Sequence, residues 1–383
     1  MKKIRAAVIG LGFIGKQHVE AIRRIPGAEV TAVIGRRREQ ISMLARELDV
    51  PHYFTSLEEM LGQIPVDVIH NCTPTVSHYE INKKALENGL HVYSEKPLTM
   101  DSESARELTR LAKKNHLATG TNFIFRNSAM VQEMQERVAN GSIGRVLTVQ
   151  GEYLQDWMLF DTDYDWRLEP SMGGPSRAVA DIGSHCMDAV QYICGSRICR
   201  LNCKMITAHP VRKKVEKDST FSVDRGKITG EIQVANEDAA FIMAELENGA
   251  QAILHISQIM AGKKNALRVM IGGSQAALTW EQERPDRLQI GNRDTGNEEI
   301  YVGEQYMTGH ARGYASLPNG HPVAWSEAMK NGVEHFYRTI REGTQEEAHK
   351  EYATFADAAY IMKLIEACLE SDRTGAWVAV EPW

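Results

Sequence analysis

No two cysteines in this chain stand in a Cys-x-x-Cys arrangement, and none of its 13 histidines forms a His-x-x-x-His or His-Glu-x-x-His pattern. Structural zinc and zincin chemistry therefore lack support, and no metal is expected. The 6 cysteines, with an N-terminal apolar run too short and too glycine-rich for a signal peptide, read as reduced thiols of a cytoplasmic protein. No segment approaches the roughly 18 consecutive apolar residues of a spanning helix, so no membrane partner is expected. Basic charge is in deficit: 44 Lys and Arg against 50 Asp and Glu leave −6, with no surplus to attract nucleic acid or an anionic bilayer. Repeats of solenoid period and low-complexity tracts are missing too.

What is present is ordinary globular material, with 43% hydrophobic and 25% charged residues in 383, enough for two or three domains. Over residues 1–125 the pattern alternates. Short branched apolar runs at 4–9, 29–34, 67–71, 90–93 and 118–121 read as strands buried on both faces, and helical periodicity fills 16–25, 39–48, 74–88 and 101–115. Such alternation predicts a parallel, doubly wound α/β sheet. Beyond it, helical stretches are expected at 128–139 and around 185–192. Strands are expected at 146–153, 199–208, 230–246, 250–259, 266–272, 276–281 and 287–291, with a polar loop at 212–229. Strands in succession imply an antiparallel or mixed sheet, hence an α+β domain over 126–383. An irregular stretch at 303–325 precedes two final helices, 325–342 and 351–371, which can pack back on the first domain.

Three motifs carry chemistry. Gly10-x-Gly12-x-x-Gly15 falls between a predicted strand and helix, where glycines let a pyrophosphate approach free backbone N–H groups, and Phe13 and Ile14 complete that turn. At the end of the second strand, Ile34-Gly35-Arg36-Arg37-Arg38 offers guanidinium groups where NAD-preferring sites usually carry an acid. Arginine forks suit a 2′-phosphate, so NADP is slightly favoured over NAD; a solvated helix start, or adenine stacked on Arg36, fits the same residues. Glu95-Lys96-Pro97 follows a buried strand, which aims Lys96 into the crevice at the sheet's carboxyl edge; a surface ion pair is the plainer alternative. Asp181 and His185, four apart, share a face at a helical start, where the imidazole can accept a hydroxyl proton; a helix cap and a core histidine fit the spacing too.

In combination these motifs resemble the Gfo/Idh/MocA family, named for glucose–fructose oxidoreductase and inositol dehydrogenase. The resemblance extends over most of the chain: Thr73-Pro74 through His78, Ala85 through Pro97, Trp166-Arg167, Gly173-Gly174 and Asp181 through His185. It implies an N-terminal Rossmann domain and a C-terminal open sheet whose exposed face often builds homodimers or homotetramers. It also implies NAD(P)-dependent oxidation or reduction of a secondary carbinol in a sugar, glycoside or cyclitol. On this resemblance Lys96 binds the reacting oxygen, His185 is the acid/base, and Asp181 contacts a substrate hydroxyl or assists the proton relay. Thr73, Pro74, His78, Glu95, Trp166 and Arg167 then belong with the cofactor-binding residues. Gly35 departs from the family, standing where many members carry Asp, and Ala178-Val179-Ala180 replaces a bulkier approach to Asp181.

Arg126, Tyr153, Asp156, Tyr164 and His310, with Trp157, Asp163 and His321, are the candidate substrate contacts, each equally readable as an ordinary core or surface residue. Two further readings use the same residues: an NAD-assisted lyase or glycosidase working through a transient keto-sugar, and a non-catalytic NAD(P) sensor.

Overall fold

A computed structural model describes residues 3–216, 227–345 and 351–381. The chain divides into two compact units, one formed by Met1–Asn127 with Ala324–Met362 and the other by Ser128–Val323 with Lys363–Trp383.

In the first unit the order is β1 (Ile4–Ile9), α1 (Phe13–Arg23), β2 (Ala28–Ile34), α2 (Arg38–Glu47), β3 (His52–Phe54), α3 (Leu57–Leu61), β4 (Val68–Asn71), α4 (His78–Glu87), β5 (His91–Ser94), α5 (Ser102–Lys114) and β6 (Thr119–Thr121). All neighbours pair in parallel, in the order β3-β2-β1-β4-β5-β6. Strand order reverses between β1 and β4, the place where open α/β sheets form their binding crevice. Ala6, Ala7, Val8, Val68, Ile69 and Val92 are buried completely, as expected of strands covered on both faces. The 52–61 stretch holds β3 and α3, which sequence patterning did not predict, because β3 contributes only three residues and two of them are exposed.

The second unit contains α6 (Ala129–Ala139), β7 (Val146–Leu154), α7 (Pro170–Gly173), α8 (Ser184–Cys194), β8 (Ile198–Ile206), β9 (Val211–Glu216), β10 (Lys227–Gln233), β11 (Ala239–Leu246), β12 (Gln251–Ser257), β13 (Ala266–Gly273), β14 (Ala276–Glu281), β15 (Arg287–Asn292) and β16 (Glu298–Tyr301). Two later helices are α9 (Trp325–Glu342), in the first unit, and α10 (Phe355–Thr374); β17 (Val378–Ala379) ends the order. The large sheet runs β16-β15-β14-β13-β7-β12-β11-β8-β17, antiparallel except for the parallel β7–β12 pair. One sheet face is covered by α8. At Gly151 in β7 an added Cβ would lie 2.8 Å from Cys186 Sγ, so the missing side chain lets this helix approach closely. The opposite face leaves Phe241, Met243 and Ile253 exposed.

Two expectations need correction. The predicted strand 230–246 is broken: residues 234–238 separate β10 from β11. The break follows from Asn236, Glu237 and Asp238, whose buried side chains are engaged in polar contacts instead of continuing a solvated strand. The predicted 212–229 loop begins and ends as strand, β9 pairing antiparallel with β10. Exposed Lys214 and buried Val215 give β9 a charged outer aspect, which hid it from hydropathy. Residues 217–226 of that predicted loop, and 346–350 beside the last predicted helix, lie outside the described residues.

In the first unit α9 packs against α1 and β5. Its Tyr337 hydroxyl lies 2.8 Å from His70 Nε2, and Arg341 donates to the Pro26 carbonyl at 2.6 Å. Ala328, Met329, Val333, Phe336 and Tyr337 form its buried stripe at helical spacing.

Candidate active site

The glycine turn is shaped by three different needs. Gly10 takes φ +88°, and a Cβ there would stand 2.7 Å from the Cys72 carbonyl at the end of β4. A Cβ on Gly15 would come within 2.0 Å of the Gly10 carbonyl oxygen, so this position keeps the helix against its own turn. At Gly12, by contrast, an added Cβ meets nothing within 4 Å. Gly12 caps α1 without a side-chain hydrogen bond, so the leading amides carry the helix's positive dipole end toward the open side of the turn. Phe13 is exposed and Ile14 half-buried beside it. These residues fit a dinucleotide pyrophosphate.

At the carboxyl end of β2, Arg36 and Arg37 are exposed, while Arg38 pairs with Glu59 of α3. After β4, Asn71 Oδ1 accepts from the Thr73 hydroxyl at 2.7 Å and from its amide at 3.3 Å, fixing the Thr73-Pro74 turn. His78 then bridges two loops. Its Nε2 lies 2.7 Å from the Thr73 carbonyl and its Nδ1 2.8 Å from that of Pro97. Burial pushes this imidazole's pKa down against the pull of the two carbonyls. The loop after β5 contains the cis Lys96–Pro97 peptide, with Lys96 half-buried. Beside it, Glu95 is buried: burial alone would raise its carboxyl, but His18, Lys96 and Asn122 hold it down at about 2.

In the second unit, Asp181 sits in a π-helical turn (Val179–Gly183) that leads directly into α8, and His185 lies in the first turn of that helix. Sequence spacing predicted a regular helical start; the wider turn is a feature that recurs at functional sites. Asp181 Oδ1 faces Arg167 Nε at 3.4 Å, and Oδ2 accepts from Gln258 Nε2 at 2.8 Å. Arg167 pairs with Asp165 at 3.0 Å and lies over the Trp166 ring, 4.4 Å from its centroid. His185 is buried, its ring 6.2 Å from that of Tyr153. Burial and the charge of Asp181 push the Tyr153 phenol well up. Trp166, Arg167, Asp181 and His185 thus belong to one unit, and the glycine turn, Thr73, Pro74, His78, Glu95 and Lys96 to the other.

Several candidate substrate contacts have evident packing duties. Tyr153 donates to Asn265 at 2.6 Å. Asp156 accepts from Lys264 at 2.7 Å and from the Gly262 amide at 3.0 Å, holding the turn after β12. Tyr164 donates to Glu169, and Asp163 accepts from the Phe160 amide at 2.8 Å. Arg126 is buried in the first unit, 3.7 Å from Asp357. His310 is bound to Glu136 and, at 2.9 Å, to Gln132 of α6. Gln132 in turn accepts from Tyr192, which stands about 10 Å along α8 from His185 at 1.5 Å rise per residue. That anchorage explains His310 as a fastening for the 309–314 turn. His321 hydrogen-bonds the carbonyl of Pro318 within its own loop.

Gln258, which touches Asp181, and Arg177, Asp238 and Arg212, which stand in line behind Gln258, were not singled out by sequence reasoning. Among the described residues, no group of three or more His, Cys, Asp or Glu side chains is arranged to hold a metal, and no helix is long and apolar enough to cross a membrane.

Comparison with known proteins gives this geometry its context. Residues 4–123 match the family model for an oxidoreductase family with an NAD-binding Rossmann fold, and 135–380 match that family's C-terminal alpha/beta domain. Levoglucosan dehydrogenase of Pseudarthrobacter phenanthrenivorans is 25% identical, the alignment covering 99% of both chains. D-glucoside 3-dehydrogenase of Escherichia coli is 29% identical over 72% of this chain and 76% of its own. A solved levoglucosan dehydrogenase in complex with NADH and L-sorbose shares the fold, with TM-score 0.89, 24% identity and both chains covered completely at 100%. With both of its parts matched, the chain belongs to the Gfo/Idh/MocA family of oxidoreductases.

Proposed function

We propose that this enzyme oxidises a secondary carbinol of a pyranose sugar, glycoside or anhydrosugar, with a cyclitol as the next substrate class, using NAD(P). One observation carries the reading: two relatives aligned over most of this chain are named for levoglucosan and D-glucosides; the motifs of Lys96, Asp181 and His185, which resemble the family's, support it. A bound nicotinamide supplies the hydride acceptor. Residues Gly10, Gly12, Phe13, Ile14, Gly15, Thr73, Pro74, His78 and Glu95 hold it and shape its loops. Trp166 and Arg167 line the cofactor or substrate.

An alcohol gives up hydride only as its O–H proton departs. His185 takes that proton, and the Lys96 ammonium stabilises the developing alkoxide charge. Asp181, facing Arg167 and Gln258, remains an acceptor for a substrate hydroxyl. Arg36 and Arg37, exposed after β2, support NADP as slightly favoured over NAD. The apolar patch of Phe241, Met243 and Ile253 on the large sheet supports a homodimer or homotetramer.

The deciding experiment follows absorbance of reduced nicotinamide with levoglucosan, alkyl glucosides, hexoses and inositols, using NAD and NADP separately. Reduction with at least one pyranose supports the proposal. Cleavage of a glycoside dependent on NAD without net reduction, or cofactor binding without turnover, overturns it.

A further inference from the structure

Gln258 follows directly on β12 and is fully buried. Its amide N–H donates to the Asp238 carbonyl at 2.9 Å and its carbonyl accepts from the Met158 amide at 3.1 Å, so its backbone is fixed on both sides. The side chain meets two groups: Arg177 Nη1 lies 2.8 Å from Oε1, and Asp181 Oδ2 lies 2.8 Å from Nε2. A guanidinium has only donors, so the amide oxygen must face Arg177. The amide NH2 is thereby turned to Asp181, whose oxygen must accept. The second oxygen of Asp181 faces Arg167, also a pure donor.

Arg177 is itself held. It pairs with Asp238, which also binds Arg212 at 2.6 Å and accepts from the Ala208 amide at 2.7 Å. All three charged side chains are completely buried. Arg212 donates onward to the carbonyls of Phe160 at 2.6 Å and Met158 at 2.9 Å, in the segment that carries Trp157 and Tyr164. A buried ion group of this kind adds little net stability over apolar packing, so stability alone does not account for it.

Building on the dehydrogenase reading, we propose that Gln258 is a positioning residue, oriented by the Arg177–Asp238 pair, that fixes Asp181 and confines it to accepting hydrogen bonds. Asp181 then orients a substrate hydroxyl and takes no part as a proton donor. Among the described residues, the ionisable groups that touch this amide are Arg177 and Asp181; on the elements packed behind them stand Arg167, His185, Tyr153, Glu237, Asp238 and Arg212.

The test inverts the pair in the full-length protein. Gln258→Glu keeps the acceptor facing Arg177 but sets two carboxyl oxygens against each other, which demands a shared proton. Such a pair has a raised folded-state pKa, so its stability is present at acid pH and lost as pH rises through that pKa. The Tm deficit against the native protein should therefore widen between about pH 5 and 8. In Gln258→Glu/Asp181→Asn the new amide donates to the new carboxylate, and the pH-dependent part of the deficit should vanish. Gln258→Leu should lower kcat by at least about tenfold with NADH binding unchanged, the mark of lost orientation. A Gln258→Glu deficit that does not vary with pH, or a double variant that fails to recover, overturns the proposal. Should the native protein oxidise no sugar, the dehydrogenase reading falls, while the thermal comparison still decides whether Gln258 and Asp181 are paired.

Discussion

His18 and Glu95, 77 positions apart in sequence, meet in the interior of the first unit, with His18 Nε2 3.1 Å from Glu95 Oε1. The chain of contacts continues: His18 Nδ1 lies 2.8 Å from His70 Nδ1, and His70 Nε2 lies 2.8 Å from the Tyr337 hydroxyl. Burial and the nearby His18 push the His70 imidazole well down. Glu95 also accepts from Asn122 at 2.6 Å and from the Lys96 amide at 3.2 Å. The backbone that presents Lys96 is thus tied to a buried polar line reaching α9.

Glu95 should govern acid stability. Its carboxyl is held at about 2 in the folded protein against an ordinary 4.5. A depressed folded pKa stabilises above the unfolded value, and that contribution disappears as pH falls from about 4.5 toward 2. Glu95→Gln is expected to lose about 3 kcal/mol at neutral pH, the scale of a carboxyl lowered from 4.5 to about 2. Thermal unfolding of both proteins down to low pH should show their difference shrinking over that interval.

Lys96→Ala and His185→Ala should each reduce turnover at least about a hundredfold, at the lower end of what acid–base catalysis contributes. Steady-state rates on the best sugar, with NADH binding as a control for folding, measure this. Near-native rates in either variant contradict the assigned role.

Gly12→Ala and Gly15→Ala should separate ligand space from packing. The first adds a methyl in open space and should leave Tm almost unchanged while weakening dinucleotide binding by roughly tenfold or more. The second forces a contact at 2.0 Å with the Gly10 carbonyl and should cost about 1–3 kcal/mol of stability. Calorimetry and NADH titration together distinguish them.

Replacing Arg36 and Arg37 by Ala should lower kcat/KM with NADP about tenfold more than with NAD, and make the NADP constant less sensitive to salt. Equal losses with both cofactors would remove the 2′-phosphate role.

Met243 and Ile253 stand opposite each other in the β11–β12 ladder, beside Phe241 stacked on His255 at 4.6 Å. Met243→Glu with Ile253→Glu should reduce the particle mass seen by light scattering without unfolding the protein. An unchanged mass removes this face from subunit assembly.

The parallel sheet, the glycine turn and the Glu95-Lys96-Pro97 loop were legible in the sequence because each depends on neighbours within a few positions: branched apolar runs, a required φ, a strand end. The broken strand at 234–238 and the ribbon of β9 and β10 were not, since their polar residues find partners only after folding. The same holds for the surroundings of Asp181. Its own motif is local, but Arg167 and Gln258 reach it from separate elements, and Arg177, Asp238 and Arg212 stand behind Gln258, by strand register and by the direction each hydrogen-bond donor faces. Sequence fixes which chemical groups are available; only tertiary packing chooses their partners, because a buried charge or amide must take whatever complementary group the sheet brings within about 3 Å.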